Sequence, residues 1–222
     1  MGEHGFEQGD AYVGKFGGGG LFGSSGPTII GGILFYNQFE SNGGAAVEQW
    51  VNAVDLHTGE MLWSKPLTTP DGAVLRLTFG QVFYWDSYNY HGVFDFLWAT
   101  QSGGWGQPTD WHAFDPFTGR WVYTLEDMPS GTRVRGQKGE IFLYNVNKNA
   151  GTMTLWNSSR AVSNMGSFDP QGRTYNASRG IEWTVNITGL ADLPGRVYKI
   201  RQGIILGTDF QRGGPAPNPA NM

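Results

Sequence analysis

The chain has 222 residues, enough for one all-β domain with a sizeable core, and its length does not demand a second. A net charge of −4 and a pI near 5.5 provide no basic patch of the kind that nucleic acids and anionic membranes select, so neither is an expected partner. Without cysteine there is no disulfide, thiolate metal site or cysteine nucleophile, while 35 glycines and 14% aromatics against 15% charged residues predict many turns and much aromatic packing.

Residues 1–26 read as a Gly-rich lead-in that includes Gly17-Gly18-Gly19-Gly20. A phosphate cradle would need a following helix with Lys and Ser or Thr, and none follows. The N-terminus lacks the basic and apolar regions of a signal peptide, and no apolar run is long enough to span a bilayer, so the chain reads as soluble with its compartment open.

A first unit, 27–67, comprises Thr28-Ile29-Ile30, Ile33 to Tyr36, Glu48 to Val54 and Glu60 to Pro66, which predict four strands separated by tight Gly turns. A second, 73–126, reads as strands at Ala73 to Thr78, Gln81 to Trp85, Gly92 to Trp98, Trp111 to Asp115 and Arg120 to Leu125. Its two insertions, Ser87 to His91 and Ser102 to Gly106, carry Tyr88, Tyr90, His91 and Trp105. They are candidate contact loops, because loops on a rigid scaffold carry binding; the alternative is aromatics packing each loop onto its own sheet. A third unit, 131–188, has strands at Thr132 to Arg135, Glu140 to Asn147, Thr152 to Asn157 and Ile181 to Ile187, with Ser163 to Arg179 read as an inserted loop. A fourth begins at 195–209, and 210–222 is a Pro/Gly-rich tail of linker composition.

One motif recurs in these units. Ala53-x-Asp55-x-x-Thr58-Gly59 is followed four residues later by Trp63, and Ala113-x-Asp115-x-x-Thr118-Gly119 by Tyr123. In a turn between antiparallel strands, the Asp accepts backbone N–H bonds and the Gly takes the left-handed conformation that closes the loop. Asn157 stands at the Asp position of a degraded third copy, and Trp183 stands where Trp63 stood. Self-similarity at a period of tens of residues marks stacked or radially arrayed units. A group repeated once per unit is structural, so Asp55 and Asp115 are read as turn residues rather than catalytic carboxylates.

This pattern resembles the pyrroloquinoline-quinone-type propeller repeat, shared by quinoprotein alcohol dehydrogenases and by non-enzymatic relatives such as the outer-membrane assembly lipoprotein. Leu155-Trp156-Asn157-Ser158-Ser159 and Gly180 to Asn186 are also similar to uncharacterised archaeal proteins carrying these repeats. The resemblance covers about Pro27 to Thr208. It implies an all-β partial β-propeller of three to four four-stranded antiparallel blades. Functionally it implies a non-catalytic scaffold or binding module that presents loops to a protein or glycan partner, or to further blades of the same protein. The dehydrogenase branch holds its quinone in a complete eight-bladed ring with a vicinal disulfide, a Trp floor, a calcium ion and an Asp base. This chain has no Cys and too few blades, and none of its residues match the calcium ligands or the base. The expectation is therefore no cofactor, no metal and no catalytic residue, the alternative being a piece of a quinone-dependent dehydrogenase.

His4, His57, His91 and His112 lack metal-ligand spacing; His57 and His112, within or just before the copied turns, are expected to be exposed turn residues. Asn157, Asn176 and Asn186 each begin a glycosylation sequon, which would suit an extracellular or cell-surface protein; the other reading is ordinary Asn and Ser turn chemistry.

Overall fold

The computed structural model describes residues 27–42, 45–87, 90–104, 107–164, 167–168, 170–187, 196–201 and 204–208. The expected lead-in at 1–26 and tail at 210–222 lie outside them, as do His4, Tyr88 and Trp105. The described chain is all-β, built of several antiparallel sheets.

Strands β1 (Thr28–Ile30), β2 (Ile33–Asn42), β3 (Ala45–Asp55) and β4 (Met61–Lys65) pair antiparallel in chain order as the first sheet. A short ribbon of β5 (Leu67–Thr68) and β6 (Val74–Leu75) leads into the second. There β7 (Leu77–Ser87), β8 (Tyr90–Ser102), β9 (Thr109–Phe114) and β10 (Trp121–Met128) again run in order. The third begins with β11 (Thr132–Arg135), β12 (Ile141–Asn147) and β13 (Thr152–Asn157). An excursion then carries helix α1 (Ser158–Val162), the pair β14 (Ser163–Asn164) and β15 (Ser167–Phe168), strand β16 (Arg173–Asn176) and a 3-10 turn at Ala177–Gly180. The chain returns as β17 (Ile181–Asn186), the outer strand of the third sheet, and closes with the hairpin β18 (Arg196–Arg201) and β19 (Ile204–Thr208).

The stacking follows from side-chain alternation in the second sheet. Successive strand residues point to opposite faces. Leu97, Ala99, Phe114 and Leu77 therefore join Phe35, Val51 and Ala53 of the first sheet in one core. Phe96, Trp98, Trp111, Ala113 and Tyr123 join Ile141, Leu143 and Trp156 of the third sheet in the other. With both faces buried, the second sheet reads as a continuous apolar run, Phe96-Leu97-Trp98-Ala99, where a one-sided sheet would alternate. First strands keep company across layers: β7 lies beside β1 and β18 beside β11.

Polar groups fix the layers where apolar packing alone would let them slide. Asn37 of β2 brackets Leu77 of β7, its Nδ2 donating to the Leu77 carbonyl (2.9 Å) and its Oδ1 accepting from the Leu77 N–H (2.9 Å). Gln81, almost fully buried, accepts from Trp98 Nε1 (2.9 Å) and donates to the carbonyl of Gly139 (3.0 Å), so the β11–β12 turn is seated on β7. The backbone N–H of Tyr84 completes this seat on the carbonyl of Lys138 (2.7 Å).

Two expectations are corrected. Ala73–Thr78 and Gln81–Trp85 are not separate strands of one sheet: β6 belongs to the ribbon and β7 runs unbroken through Gly80. A Cβ on Gly80 would collide with Thr28 and Ile30, so this glycine permits close approach of β1 rather than making a turn. Ser163–Arg179 is not a loop. Its strand β16 adds in parallel to β10, with Tyr123 opposite Arg173 and Glu126 opposite Asn176, so β10 is not the outermost strand of its sheet.

Candidate functional site

The repeated turns share most of their hydrogen bonds. Asp55 Oδ1 accepts from the backbone N–H of His57 (2.7 Å) and Thr58 (3.0 Å), and the Thr58 hydroxyl from that of Glu60 (3.2 Å). Asp115 Oδ1 accepts from the N–H and hydroxyl of Thr118 (2.7 Å each), and the Thr118 hydroxyl from the N–H of Arg120 (3.4 Å). Gly59 and Gly119 close the turns at φ 75° and 59°. The bonds from Thr58 and His57 hold the Asp55 carboxyl below its ordinary pKa. Ala53 and Ala113 are fully buried, leaving room for the aromatics opposite them, Trp63 and Tyr123.

Trp63 reaches into the next sheet. Its indole N–H donates to the Pro116 carbonyl (3.0 Å), its ring edge covers Gly119, and Lys65 beside it bonds the Thr118 carbonyl. Trp183 holds the same register, opposite Leu155 as Trp63 is opposite Ala53, and its ring meets Tyr144 edge-on at 6.5 Å. Trp63 and Trp183 are half-buried, whereas Tyr123 is deeply buried. The third motif is also corrected. Asn157 still accepts from the N–H two residues on (Ser159, 2.9 Å), but it caps α1 instead of closing a hairpin turn.

The two aromatic insertions lie at opposite ends of the second sheet, not on one surface. The β7–β8 hairpin, with His91 exposed at its tip, shares the end of the Asp115–Gly119 turn. This hairpin outruns β9, which stops at Phe114 opposite Leu97. Its apolar face of Phe83, Trp85 and Phe94 is covered by Phe168 of the excursion, at centroid distances of 5.4, 5.4 and 4.4 Å.

At the other end, the β8–β9 and β10–β11 connections border an open cleft of about 840 Å³ between the second and third sheets. Its walls are Phe79, Trp111, Met128 and Leu143, with Thr78, Thr100, Gln107, Thr109 and Ser130 round the rim. Among the described residues lining it Arg133 is the one ionic side chain; its guanidinium stands 4.1 Å above the Phe79 ring. Met128 is turned inward by a bulge in β10 in which Asp127 adopts φ 56°, a conformation rare for a side-chain-bearing residue. Asp127 is held there through its N–H to Asp110 Oδ1 (2.9 Å) and its Oδ2 to Asn176 Nδ2 (2.8 Å). Reading motifs missed this site because its walls come from separate strands. One signal was present: Thr132-Arg133-Val134-Arg135 alternates, placing both arginines on the face of β11 that turns to the core.

A smaller recess of about 560 Å³ lies by the Asp115–Gly119 turn, lined by Phe94, Asp95, Asp115, Phe117, Arg120 and Trp121 among others. Burial, and secondarily the charge of Asp115, raises the Asp95 carboxyl above its ordinary pKa.

The histidines part company. His57 is exposed as expected, with Nδ1 3.7 Å from Asp55 Oδ1. His112 is buried, correcting that expectation; its Nδ1 bonds the Thr124 hydroxyl (3.0 Å), and burial lowers its pKa. Asn157 and Asn176 are both caps whose Nδ2 atoms bond carboxylates, Glu182 for Asn157 (2.6 Å) and Asp127 for Asn176. Asn186 is exposed at the end of β17.

Among the described residues no three His, Asp or Glu side chains converge as a metal site. A scan against models of known protein families finds no match, and a search of curated proteins finds none.

Proposed function

We propose that the chain is an arc of propeller-type blades serving as a non-catalytic binding module, and that it receives a protein partner in the cleft between its second and third sheets. Face-to-face four-stranded meanders, first strands side by side, and Trp63 seated on the next sheet's turn support the propeller reading. The cleft carries the functional reading. It is concave, walled by aromatic and aliphatic side chains and rimmed by a few polar groups, which is how binding sites are generally built. Its volume exceeds that of the recess beside Asp115, and Gln107 and Ser130 bring two connections to its rim, where a scaffold can vary its contacts without disturbing its sheets.

The two ends of the molecule make the test. A photoreactive residue at Ser130, on the cleft rim, is expected to give a discrete protein adduct in cells of the source organism, and the same residue at Phe117, at the opposite end, is not. Adducts at Phe117 alone, equal adducts at both, or none at either would overturn the proposal. A glycan adduct at Ser130 would assign the cleft to the other partner class.

A further inference from the structure

We infer that the recess beside the Asp115–Gly119 turn binds a small primary ammonium ion with an apolar body, the Asp95 carboxylate taking the ammonium group and the ring of Trp121 lying against the body. This second site goes beyond the cleft and is independent of it. Asp95 stands on β8 two residues outside Leu97, where the pairing with β9 ends, so no β9 residue lies beside it and the recess lies there. Its Oδ1 is sealed from solvent and has no hydrogen-bond partner. A carboxylate in that state is costly, because water no longer stabilises its charge and nothing in the protein replaces the water. Oδ2 is the oxygen left to meet a counter-charge, and Asp95 is part of the recess lining.

The neighbouring groups narrow the ligand. Asp115 follows directly on β9 and its charge is felt at Asp95, so the pair together favours a cation. Asp115 holds its own turn through Oδ1, which takes both bonds from Thr118. Arg120, exposed in the lining, pairs with neither carboxylate among the described residues. Apolar side chains share the lining: Val93 and Phe117 are 59% and 63% exposed, and Trp121 turns its N–H to Thr124 Oγ1 (3.0 Å), which leaves ring carbon for a ligand. An aromatic face attracts an ammonium ion as well as a hydrocarbon. A hydroxyl can bond Oδ2 but leaves the carboxylate charge unanswered, and a bare metal ion finds no three converging His, Asp or Glu side chains among the described residues. The volume of about 560 Å³ lies within the range of small-molecule sites.

The test titrates the full chain, followed by NMR, with 2-phenylethylammonium chloride and with its neutral counterpart 2-phenylethanol. The ammonium is expected to bind about tenfold more tightly than the alcohol, as a charge-assisted hydrogen bond implies, and methylammonium, which lacks the apolar body, about tenfold more weakly than 2-phenylethylammonium. In the unaltered chain the shifts should centre on Val93, Phe117 and the Trp121 indole. Asp95→Asn should bring the ammonium down to the level of the alcohol, whereas Asp86→Asn, at an exposed carboxylate of β7 that faces Lys138 at 4.0 Å, should change nothing. Melting curves of both variants check that they fold. Equal binding of ammonium and alcohol, equal binding of methylammonium, a preference that survives Asp95→Asn or is lost in Asp86→Asn, shifts centred on other residues, or no binding up to about 10 mM would overturn the inference. A protein adduct at Phe117 would mean that a partner's lysine supplies the ammonium group, which overturns the free ligand; the Ser130 adduct bears on the cleft alone.

Discussion

Replacing Gly139 with Ala tests whether the β11–β12 turn is seated on the second sheet. Gly139 has φ 84°, which by itself costs a side-chain-bearing residue about 1 kcal/mol. A Cβ there would also overlap the Val82 carbonyl oxygen and lie 2.9 Å from Phe83 Cα. Both are backbone atoms and cannot rotate aside. The third sheet would have to back away from β7, at about 1–3 kcal/mol for overpacking. That shift would draw the Gly139 carbonyl off the buried Gln81 amide, a further 1–3 kcal/mol or so for the unpaired donor. The expected loss is about 3–7 kcal/mol. Gly59→Ala is the control: φ is 75° but nothing lies within 4 Å of an added Cβ, so about 1 kcal/mol is expected. Urea unfolding of both variants, read from midpoints at unchanged slope, separates them. If Gly139→Ala fell within about 0.5 kcal/mol of Gly59→Ala, the sheet-to-sheet seat would not exist.

Trp63→Ala should lose about 3–4 kcal/mol, from roughly 100 Å² of apolar burial plus one hydrogen bond, and Trp63→Phe only about 1 kcal/mol for the missing bond to Pro116; equal losses in chemical denaturation would show that the indole N–H contributes nothing. For His112, burial lowers the folded pKa below its ordinary 6.5, so the folded state binds fewer protons than the unfolded state as the pH falls. Stability is therefore expected to hold above about pH 6.5 and to decline from there down toward the folded pKa, and His112→Gln should flatten that decline in urea midpoints taken across the window. Adding pyrroloquinoline quinone with calcium should leave the melting temperature unchanged, because a ligand of the native state must raise it; a saturable rise would restore the dehydrogenase alternative.

The first and third sheets were legible as sequence because each strand alternates and glycine turns separate the strands; Thr132–Arg135, Thr152–Asn157 and Ile181–Ile187 correspond to β11, β13 and β17 within a residue. The second sheet was less so. Burial on both faces erases its alternation, and Gly80 looks like a break when it is a place where another strand comes close. His112 misled for a related reason: a polar residue just before an exposed turn is ordinarily solvated, but here its neighbour is Thr124 across the strand pair. The cleft could not be read at all from spacing, because Phe79, Trp111, Met128 and Arg133 become neighbours only when the second and third sheets stack.

The excursion between β13 and β17 accounts for the decay of the third motif. In the second sheet the turn after β9 is tight, and Trp63 of the first sheet caps it by reaching the Pro116 carbonyl over Gly119. Asn157 keeps the Asp role of capping the next N–H groups, but the chain then enters α1, and no left-handed glycine is needed. The residue facing that region from the second sheet is Tyr123, which shares a buried cluster with Ala161 and Val162 of α1, Tyr175 of β16 and Ala177, and packs edge-on to Phe96 and Trp98 at 5.3 and 5.4 Å. An indole reaching outward for a turn carbonyl has no counterpart there; a ring that fills the core does. The excursion gains its place through the parallel pairing of β16 with β10 and through Trp156 Nε1, which donates to the Ala177 carbonyl (2.6 Å). It also supplies Phe168 to the projecting hairpin and Asn176 to the Asp127 bulge. The segment that disrupts the repeat therefore supports both ends of the second sheet, the hairpin at one and the cleft rim at the other, and a deletion of 158–180 would uncouple both at once.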